Sequence, residues 1–223
     1  MKLALFDLDH TLLPIDSDQS WGHFTTTLGW TDPVEFTQKN DAFYAHYQAG
    51  TLDIHDYVRF ATEAFCIRSR AEAEAAHARF MREIIQPVIR PEALALLEKH
   101  RATGEQLLII TATNEFVTRP IAQAFGVDEL IAVELVRNAN HWYSGEILGV
   151  PSLREGKVER LQQWLHQRGL DWGKVETTFY SDSSNDIPLL QRVNHPVATN
   201  PDAKLTAFAL EKGWPILELF PTA

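Results

Sequence analysis

Two aspartates that stand two residues apart are the first candidates for chemistry in this chain. Asp7 and Asp9 follow the apolar run 2–6, which has the length of a short buried strand. Two carboxylates this close repel each other unless a cation or a shared proton compensates their charge. The simpler interpretation is a solvated turn whose aspartates cap the next helix.

Polar side chains at later points in the chain favour the chemical interpretation. Thr111 follows the apolar run 107–110, and Lys157 follows Gly156 at the start of a predicted helix. The segment 180–186 ends another strand and carries Asp182, Asn185 and Asp186. A phosphate ester repels an anionic nucleophile, so such a nucleophile needs positive charge beside it. Acids at strand ends and a lysine at the start of a helix therefore predict phosphoryl transfer, although Thr111 alone fits a helix cap and Lys157 alone a surface lysine.

The elements that must position these groups form an alternating pattern. Short apolar strands are predicted at 2–6, 107–110, 177–180 and 196–198, and helices at 91–101, 114–125 and 154–168. Strands that alternate with helices in this way predict an α/β fold with a central parallel sheet covered on both faces. Ligands of such sheets bind beyond the carboxyl ends of the strands. The acids and hydroxyls are therefore expected to meet at one edge.

Two segments depart from the alternation. Residues 16–86 show helix after helix, with predicted starts at Asp18, Pro33, Asp53 and Ser69 and a stop at Gly50. This segment is too long for a simple crossover between strands. It is predicted to be an inserted helical cap domain at 16–86, with a core domain at 1–15 and 87–223. In the second segment, 131–136 and 142–148 flank two asparagines, which predicts a small β-hairpin flap.

The composition of the chain excludes several classes of protein. Its 223 residues have a formal net charge of −10, which argues against nucleic acid as a partner. Cys66 is the single cysteine, so an internal disulfide and a Cys-based zinc finger are excluded. No apolar run approaches the length of a membrane span. We expect a cytoplasmic protein without stable membrane insertion or a targeting segment, and the sequence leaves its oligomeric state open.

The order of the motifs resembles the haloacid dehalogenase superfamily of phosphatases. More narrowly, it resembles the phosphoserine-phosphatase-like branch, subfamily IB, with a helical cap of the C1 type. The resemblance rests on Asp-x-Asp-x-Thr at 7–11, Thr111, Lys157 and the acidic loop 181–186, and it covers nearly the whole chain. It implies a Rossmann-like three-layer core, Mg²⁺ as cofactor, and hydrolysis of a phosphomonoester through an aspartyl-phosphate.

The resemblance also implies a role for each motif residue. Asp7 would be the nucleophile, and Asp9 would protonate the leaving group and then activate water. Asp7 and Asp182 would bind Mg²⁺ by carboxylate and Asp9 by its backbone carbonyl. The remaining implied roles are phosphate binding by Thr111, Lys157 and Asn185, and support by Thr11 and Asp186. Dehalogenases of the superfamily lack the acid at the Asp9 position, which argues for a phosphate ester as substrate.

The resemblance is less informative about the substrate. Asp16 stands where phosphoserine phosphatases have an acid that binds the substrate amine. The cap arginine that binds the substrate carboxylate has Arg59 and Arg68 as candidates, and Lys39 as a weaker one. The stretch 12–18 is more similar to a bacterial subgroup whose members act on histidinol phosphate or on phospholipid head-group phosphates. Residues 16–86 hold 11 acids against 6 lysines and arginines, which favours a small substrate that bears a cation.

Other functions stay open at this stage. Within the family, the alternatives are a phospholipid head-group phosphatase of the phosphatidylglycerophosphate type and a phosphomutase. Outside catalysis, the alternative is a protein that binds a phosphorylated ligand without turning it over. A pure binder has no need of both a nucleophile and an acid, so the full motif set argues against this last function.

Overall fold

A parallel sheet of six strands lies at the centre of the protein in the computed structural model, which describes residues 1–220. The strands are β1 (Lys2–Phe6), β2 (Gln106–Asn114), β3 (Glu129–Val133), β4 (Leu135–Arg137), β5 (Tyr143–Ile147), β6 (Glu176–Ser181), β7 (His195–Thr199) and β8 (Ile216–Leu217). The sheet has the order β3-β2-β1-β6-β7-β8, and β4 and β5 form a separate antiparallel pair. The predicted α/β fold with a parallel sheet is confirmed.

The helices lie on both sides of this sheet and between β1 and β2. They are α1 (Ser17–Thr27), α2 (Pro33–Ala49), α3 (Ile54–Cys66), α4 (Arg70–Phe80), α5 (Pro91–Ala102), α6 (Glu115–Ala124), α7 (Glu155–Gln167), α8 (Ile187–Leu190) and α9 (Ala203–Lys212). A π-helical turn at Met81–Ile85 and 3₁₀ turns at Gln86–Val88, Trp172–Lys174 and Ser184–Asp186 complete the set. Within residues 1–220 no helix is both long and apolar enough to cross a bilayer.

Side-chain caps explain why the helices between β1 and β2 begin where they do. The carboxylates of Asp16, Asp32 and Asp53 accept hydrogen bonds from backbone N–H groups in the first turns of α1, α2 and α3. Ser69 and Glu72 form a reciprocal capping box at the start of α4, which satisfies two otherwise unpaired groups. The predicted starts of these helices lie within one residue of the observed ones.

Two apolar clusters cover the two faces of the sheet. Along β1, Leu3 and Leu5 belong to one cluster, and Ala4 and Phe6 belong to the other. Alternate side chains of a strand point to opposite faces, and all four are fully buried. Burial on both faces is typical of a parallel strand inside a three-layer sandwich.

The helical segment shares one of these clusters with the sheet domain. The Trp21 ring of α1 lies 5.3 Å from the ring of Phe80 and 5.6 Å from that of Phe116, which belongs to α6. Phe65 of α3 stacks on Phe116 with ring centroids 4.2 Å apart. The helical insertion is therefore in apolar contact with the core. The division of the chain into 1–15 with 87–223 and 16–86 stays a prediction, and residues 221–223 of that core lie outside the described part.

The predicted β-hairpin flap is present but shorter than expected. Strands β4 and β5 pair from Leu135 with Ile147 to Arg137 with Tyr143. The preceding apolar run, which includes Ile131, belongs instead to β3 and pairs with β2 of the main sheet. The Asn138 side chain accepts hydrogen bonds from two backbone N–H groups in the turn, as predicted for an asparagine turn.

Candidate active site

A cavity of about 640 Å³ lies between the carboxyl ends of β1, β2 and β6 and the helices α1, α2 and α3. Its core side is formed by Asp7, Asp9, Thr111, Lys157, Asp182, Asn185 and Asp186, and its cap side includes Asp16, Asp18, Phe43, Tyr44, Tyr47 and Tyr57. The predicted motif residues therefore meet at one edge of the sheet. Their chemical roles stay predictions.

Lys157 is the cation at the centre of this edge. Its Nζ donates to Asp7 Oδ1 at 2.8 Å and to Asp186 Oδ2 at 2.6 Å, and its side chain is 3% exposed. Burial opposes the charged ammonium, but the charges of Asp186 and Asp7 outweigh burial and raise the pKa of Lys157. The Ser181 hydroxyl also donates to Asp186 Oδ2, at 2.7 Å. Lys157 therefore stays charged and stabilises the negative charge of Asp7.

The absence of a side chain at Gly156 allows Lys157 to lie beside Asp7 and Asp186. A Cβ atom on Gly156 would lie 2.0 Å from the carbonyl oxygen of Pro151, far inside van der Waals contact. Only glycine lets the first turn of α7 approach the preceding loop this closely. The position of Lys157 in the active site therefore depends on glycine at position 156.

Asp182 lies beside Asp7 and is held by Thr11. The Thr11 hydroxyl donates to Asp182 Oδ1 at 3.2 Å and accepts from the Asp182 backbone N–H at 3.0 Å. Burial, followed by the charges of Asp7 and Asp186, raises the pKa of Asp182 well above its usual value. Three carboxyl groups thus lie near one ammonium, which bonds to Asp7 and Asp186, so negative charge is in excess at the edge of the sheet.

This charge fits the predicted metal. Two carboxylates, from Asp7 and Asp182, and the Asp9 backbone carbonyl make up an all-oxygen donor set of the kind that Mg²⁺ takes. In the described part of the chain, no three His, Cys, Asp or Glu side chains gather as a metal-binding group. The predicted set needs only two such side chains, so Mg²⁺ would complete its shell with water and substrate oxygens.

Asp9 has a different environment from Asp7. Its Oδ1 accepts from the Ser17 backbone N–H at 2.7 Å, and its Oδ2 accepts from the Thr113 hydroxyl at 2.9 Å. Burial, followed by the charge of Asp16, raises the pKa of Asp9 to about 6. A carboxyl group with such a pKa is suited to give and take a proton near neutral pH. Thr113 was not among the candidates from the sequence. Its position two residues after Thr111 on the same strand could have indicated it, because alternate residues of a strand point to the same side.

Thr111 is buried at the edge of the cavity and does not cap a helix. Its hydroxyl accepts from the Thr113 backbone N–H at 3.1 Å, and its carbonyl accepts from the Ser152 hydroxyl at 2.6 Å. The strand β2 continues past Thr111 to Asn114, whose side chain caps α6 by accepting from Val117 N–H. The alternative role of Thr111 as a helix cap is therefore wrong.

Asn185 connects the acidic loop with the cap. Its Oδ1 accepts from Arg154 Nε at 3.1 Å, and its Nδ2 donates to the Tyr47 carbonyl at 3.4 Å. The Tyr47 hydroxyl also shares a hydrogen bond of 3.0 Å with Ser183. Arg154 and Tyr47 were not among the candidates from the sequence, because nothing in their spacing marks them.

The cap side of the cavity is acidic beside Asp9. Asp16 lines the cavity and caps α1. Asp18 accepts from the Tyr57 hydroxyl at 2.8 Å and from Asn114 Nδ2 at 3.3 Å, and it is 6% exposed. Burial and the charge of Asp16 raise the pKa of Asp18 to about 7. Asp16 is a specificity candidate from the sequence, whereas Asp18 is not, because in the sequence it resembles an ordinary acid in the first turn of a helix.

The structure does not bring the proposed cap arginines to the cavity. Arg59 is exposed and pairs with Asp56 and Glu146. The Arg68 guanidinium lies 5.3 Å from the centre of the Trp30 ring, and Lys39 pairs with Glu35 at 2.6 Å. A lysine from the core lines the cavity instead, since Lys204 at the start of α9 donates to the Gln48 carbonyl at 2.8 Å.

Known proteins agree with this fold. Residues 4–191 match the haloacid dehalogenase-like hydrolase family, so the chain belongs to that family and the predicted hydrolase class is confirmed. A histidinol-phosphatase of Neisseria meningitidis serogroup C (strain 8013) is 43% identical over 219 residues, which are 97% of this chain and 98% of that protein.

Solved structures show the same likeness. A crystal structure of a protein of unknown function from Bordetella pertussis Tohama I has a TM-score of 0.92 at 44% identity, and the match covers 98% of this chain and 99% of that one. A substrate-bound phosphoserine phosphatase has a TM-score of 0.66 at 16% identity over 97% of this chain and 92% of its own. At that identity the likeness shows the fold alone.

Proposed function

We propose that this protein is a phosphomonoesterase for a small, amine-bearing phosphate ester such as histidinol phosphate. The observation that carries the proposal is the contrast between two neighbouring carboxylates. Asp7 bonds to the Lys157 ammonium at 2.8 Å, whereas Asp9 bonds to the neutral Ser17 N–H and Thr113 hydroxyl. Two acids in such different environments are suited to different roles, Asp7 beside a fixed cation as the nucleophile and Asp9 as the proton carrier.

Asp7 is the nucleophile in this proposal. Lys157 bonds to Oδ1, and Oδ2 attacks the phosphorus atom of the ester. The bond between phosphorus and the ester oxygen breaks, and its electron pair leaves with the alcohol oxygen. The product is an aspartyl-phosphate on Asp7, which is the usual covalent route for a carboxylate. Thr111, Lys157 and Asn185 bind the phosphoryl oxygens.

Asp9 supplies and recovers the proton. In its protonated form it gives the proton to the leaving alcohol, and in its ionised form it takes one from the attacking water. That water breaks the bond between Asp7 and phosphorus and releases inorganic phosphate. A pKa raised to about 6 by burial and by Asp16 keeps both forms of Asp9 accessible near neutral pH. Mg²⁺ held by Asp7, Asp182 and the Asp9 carbonyl would offset the charge of the phosphoryl group.

The cap side of the cavity supports an amine-bearing substrate. Asp16 and Asp18 line it, and Phe43, Tyr44 and Tyr57 add aromatic surface. Acids favour a cationic group, and aromatic rings favour a flat or cationic one. The relative from Neisseria meningitidis is named a histidinol-phosphatase, and histidinol phosphate carries both an amine and an imidazole ring. This relative therefore supports the same assignment.

The test is turnover of a panel of phosphate esters in the presence of Mg²⁺. We expect phosphate release from histidinol phosphate to exceed that from phosphoserine and from a lysophospholipid phosphate. Asp7→Asn should abolish release, whereas Asp41→Asn, which changes an exposed aspartate on α2, should not. Asp9→Asn should slow both chemical steps and leave a phosphoenzyme detectable after acid quench.

Each other outcome points to a different function. Preferred release from the lysophospholipid phosphate would favour a head-group phosphatase. Conversion of one phosphate ester into its isomer would favour a phosphomutase. Tight binding of an ester without any release would leave a non-catalytic binder and would overturn the proposal.

A further inference from the structure

Arg154, three residues before Lys157, has an unusual backbone conformation. Its φ of 53° and ψ of −123° lie in a region that residues with a Cβ rarely occupy. Such strain persists only where the surrounding structure compensates for it, and it is concentrated at functional sites. The conformation comes immediately before α7, so it sets the direction of the Arg154 side chain at the edge of the active site.

The Arg154 side chain fixes the orientation of Asn185. A guanidinium group has only donors, so the oxygen of the Asn185 side chain must face Arg154 Nε, at 3.1 Å. The amide nitrogen must then face the other way, toward the cavity and α2. There it meets the Tyr47 carbonyl at 3.4 Å, a long contact that a phosphoryl oxygen can replace.

The rest of the guanidinium lies against the last turn of α2. A Cβ atom placed on Gly50 would lie 3.5 Å from Arg154 Nη2. That Nη2 is buried and has no hydrogen-bond partner within residues 1–220, although an unbonded buried donor is costly. Arg154 therefore contacts the cap by packing, and its side-chain hydrogen bond is made to Asn185.

We propose that Arg154 is a positioning residue for phosphate binding, because it holds the Asn185 amide with Nδ2 presented to the cavity. The inference rests on the proposed function, in which Asn185 binds a phosphoryl oxygen. Arg154 acts through Asn185 and does not itself contact the ester.

The first test separates positioning from folding. Arg154→Gly removes the side chain and suits the positive φ, so we expect an unchanged or higher melting temperature. We also expect kcat/KM to fall by about 10- to 100-fold, the value of one hydrogen bond to a charged group. Arg154→Lys keeps a head group that only donates and should therefore retain more of kcat/KM than Arg154→Gly. Arg168→Ala, at the other end of α7, is the control and should keep wild-type kcat/KM.

The second test uses Asn185. If Arg154 acts through this residue, Arg154→Gly should have no further effect in the Asn185→Ala background. Additive losses in the double variant would overturn the proposal. A lower melting temperature of Arg154→Gly that accounts for the lost activity would also overturn it.

A binding measurement keeps the inference separate from the proposed function. Inorganic phosphate is titrated into each variant by calorimetry in the presence of Mg²⁺. Weaker binding in Arg154→Gly that is absent in the Asn185→Ala background supports the role of Arg154, even if the wild type hydrolyses no ester and the proposed function fails. Equal binding by the wild type and Arg154→Gly, or no binding by the wild type, refutes the role.

Discussion

An asparagine at position 18 should stabilise the protein at alkaline pH. The Asp18 side chain is nearly fully buried, and burial followed by the charge of Asp16 raises its pKa from 3.8 to about 7. Asparagine has almost the same shape and carries no charge. It can still bond to Tyr57 and Asn114, since the Tyr57 hydroxyl can either donate or accept.

The size and direction of the effect follow from the two pKa values. Between pH 4 and pH 7 the folded protein keeps a proton on Asp18 that the unfolded chain has released. The free energy of unfolding therefore falls as the pH rises through this window, and it stays lower above it. The change in the pKa from 3.8 to about 7 corresponds to about 4 kcal/mol, at 1.36 kcal/mol for each tenfold change in proton affinity. Asp18→Asn removes this loss, so its advantage should be absent at pH 4 and full at pH 8.

Urea unfolding at several pH values measures this advantage. The experiment is done in the presence of a chelator, so that a metal bound near Asp9 does not contribute to the charge around Asp18. Asp41→Asn serves as the matched control, because Asp41 is an exposed aspartate of α2, and it should show no such trend. The reasoning is refuted if Asp18→Asn is less stable than the wild type at pH 8, or if the difference does not grow with pH.

Three further substitutions test the packing of the site and the core. Lys157→Met leaves Asp7 and Asp186 without their shared cation, so turnover should vanish and urea unfolding should show a loss of about 3–5 kcal/mol. Gly156→Ala places a Cβ 2.0 Å from a backbone oxygen; a lower melting temperature and lower kcat should result, and wild-type values would contradict the close approach. Phe116→Ala removes a ring stacked on Phe65, and denaturant unfolding should show a loss of about 3–5 kcal/mol.

The order of the elements and the core motif residues could be predicted because both depend on local patterns. The first strand was predicted at 2–6, where Asp7 ends the run, and the observed β1 has the same bounds. Parallel strands place their carboxyl ends at one edge, so the meeting of Asp7, Thr111 and Asp182 follows from chain order alone. The extension of β2 past residue 110 was missed, because Thr111, Thr113 and Asn114 are polar although they are buried.

The substrate side of the cavity could not be predicted in the same way. Which helix faces enter a cavity depends on how α1, α2 and α3 pack, and polar helix residues look alike in a sequence. Asp18 enters the cavity lining, whereas Arg59 lies on an exposed face of α3. The proposed role of Arg154 could not be predicted for a different reason. It depends on a backbone conformation that the residue type does not indicate.

The position of β1 inside the sheet has a consequence for biosynthesis. Phe6 pairs with Ile109 on one side and with Tyr180 on the other, so both neighbours of β1 leave the ribosome long after it does. At a synthesis rate of about 5–20 residues per second, Asp7 leaves the ribosome roughly 10–35 s before Asp182. During that interval the nascent chain presents an unpaired apolar strand, and its helices α1–α4 form before the sheet that they cover. Chaperone engagement is therefore expected on the nascent chain before residue 180 emerges, and catalytic competence arises only near the end of translation.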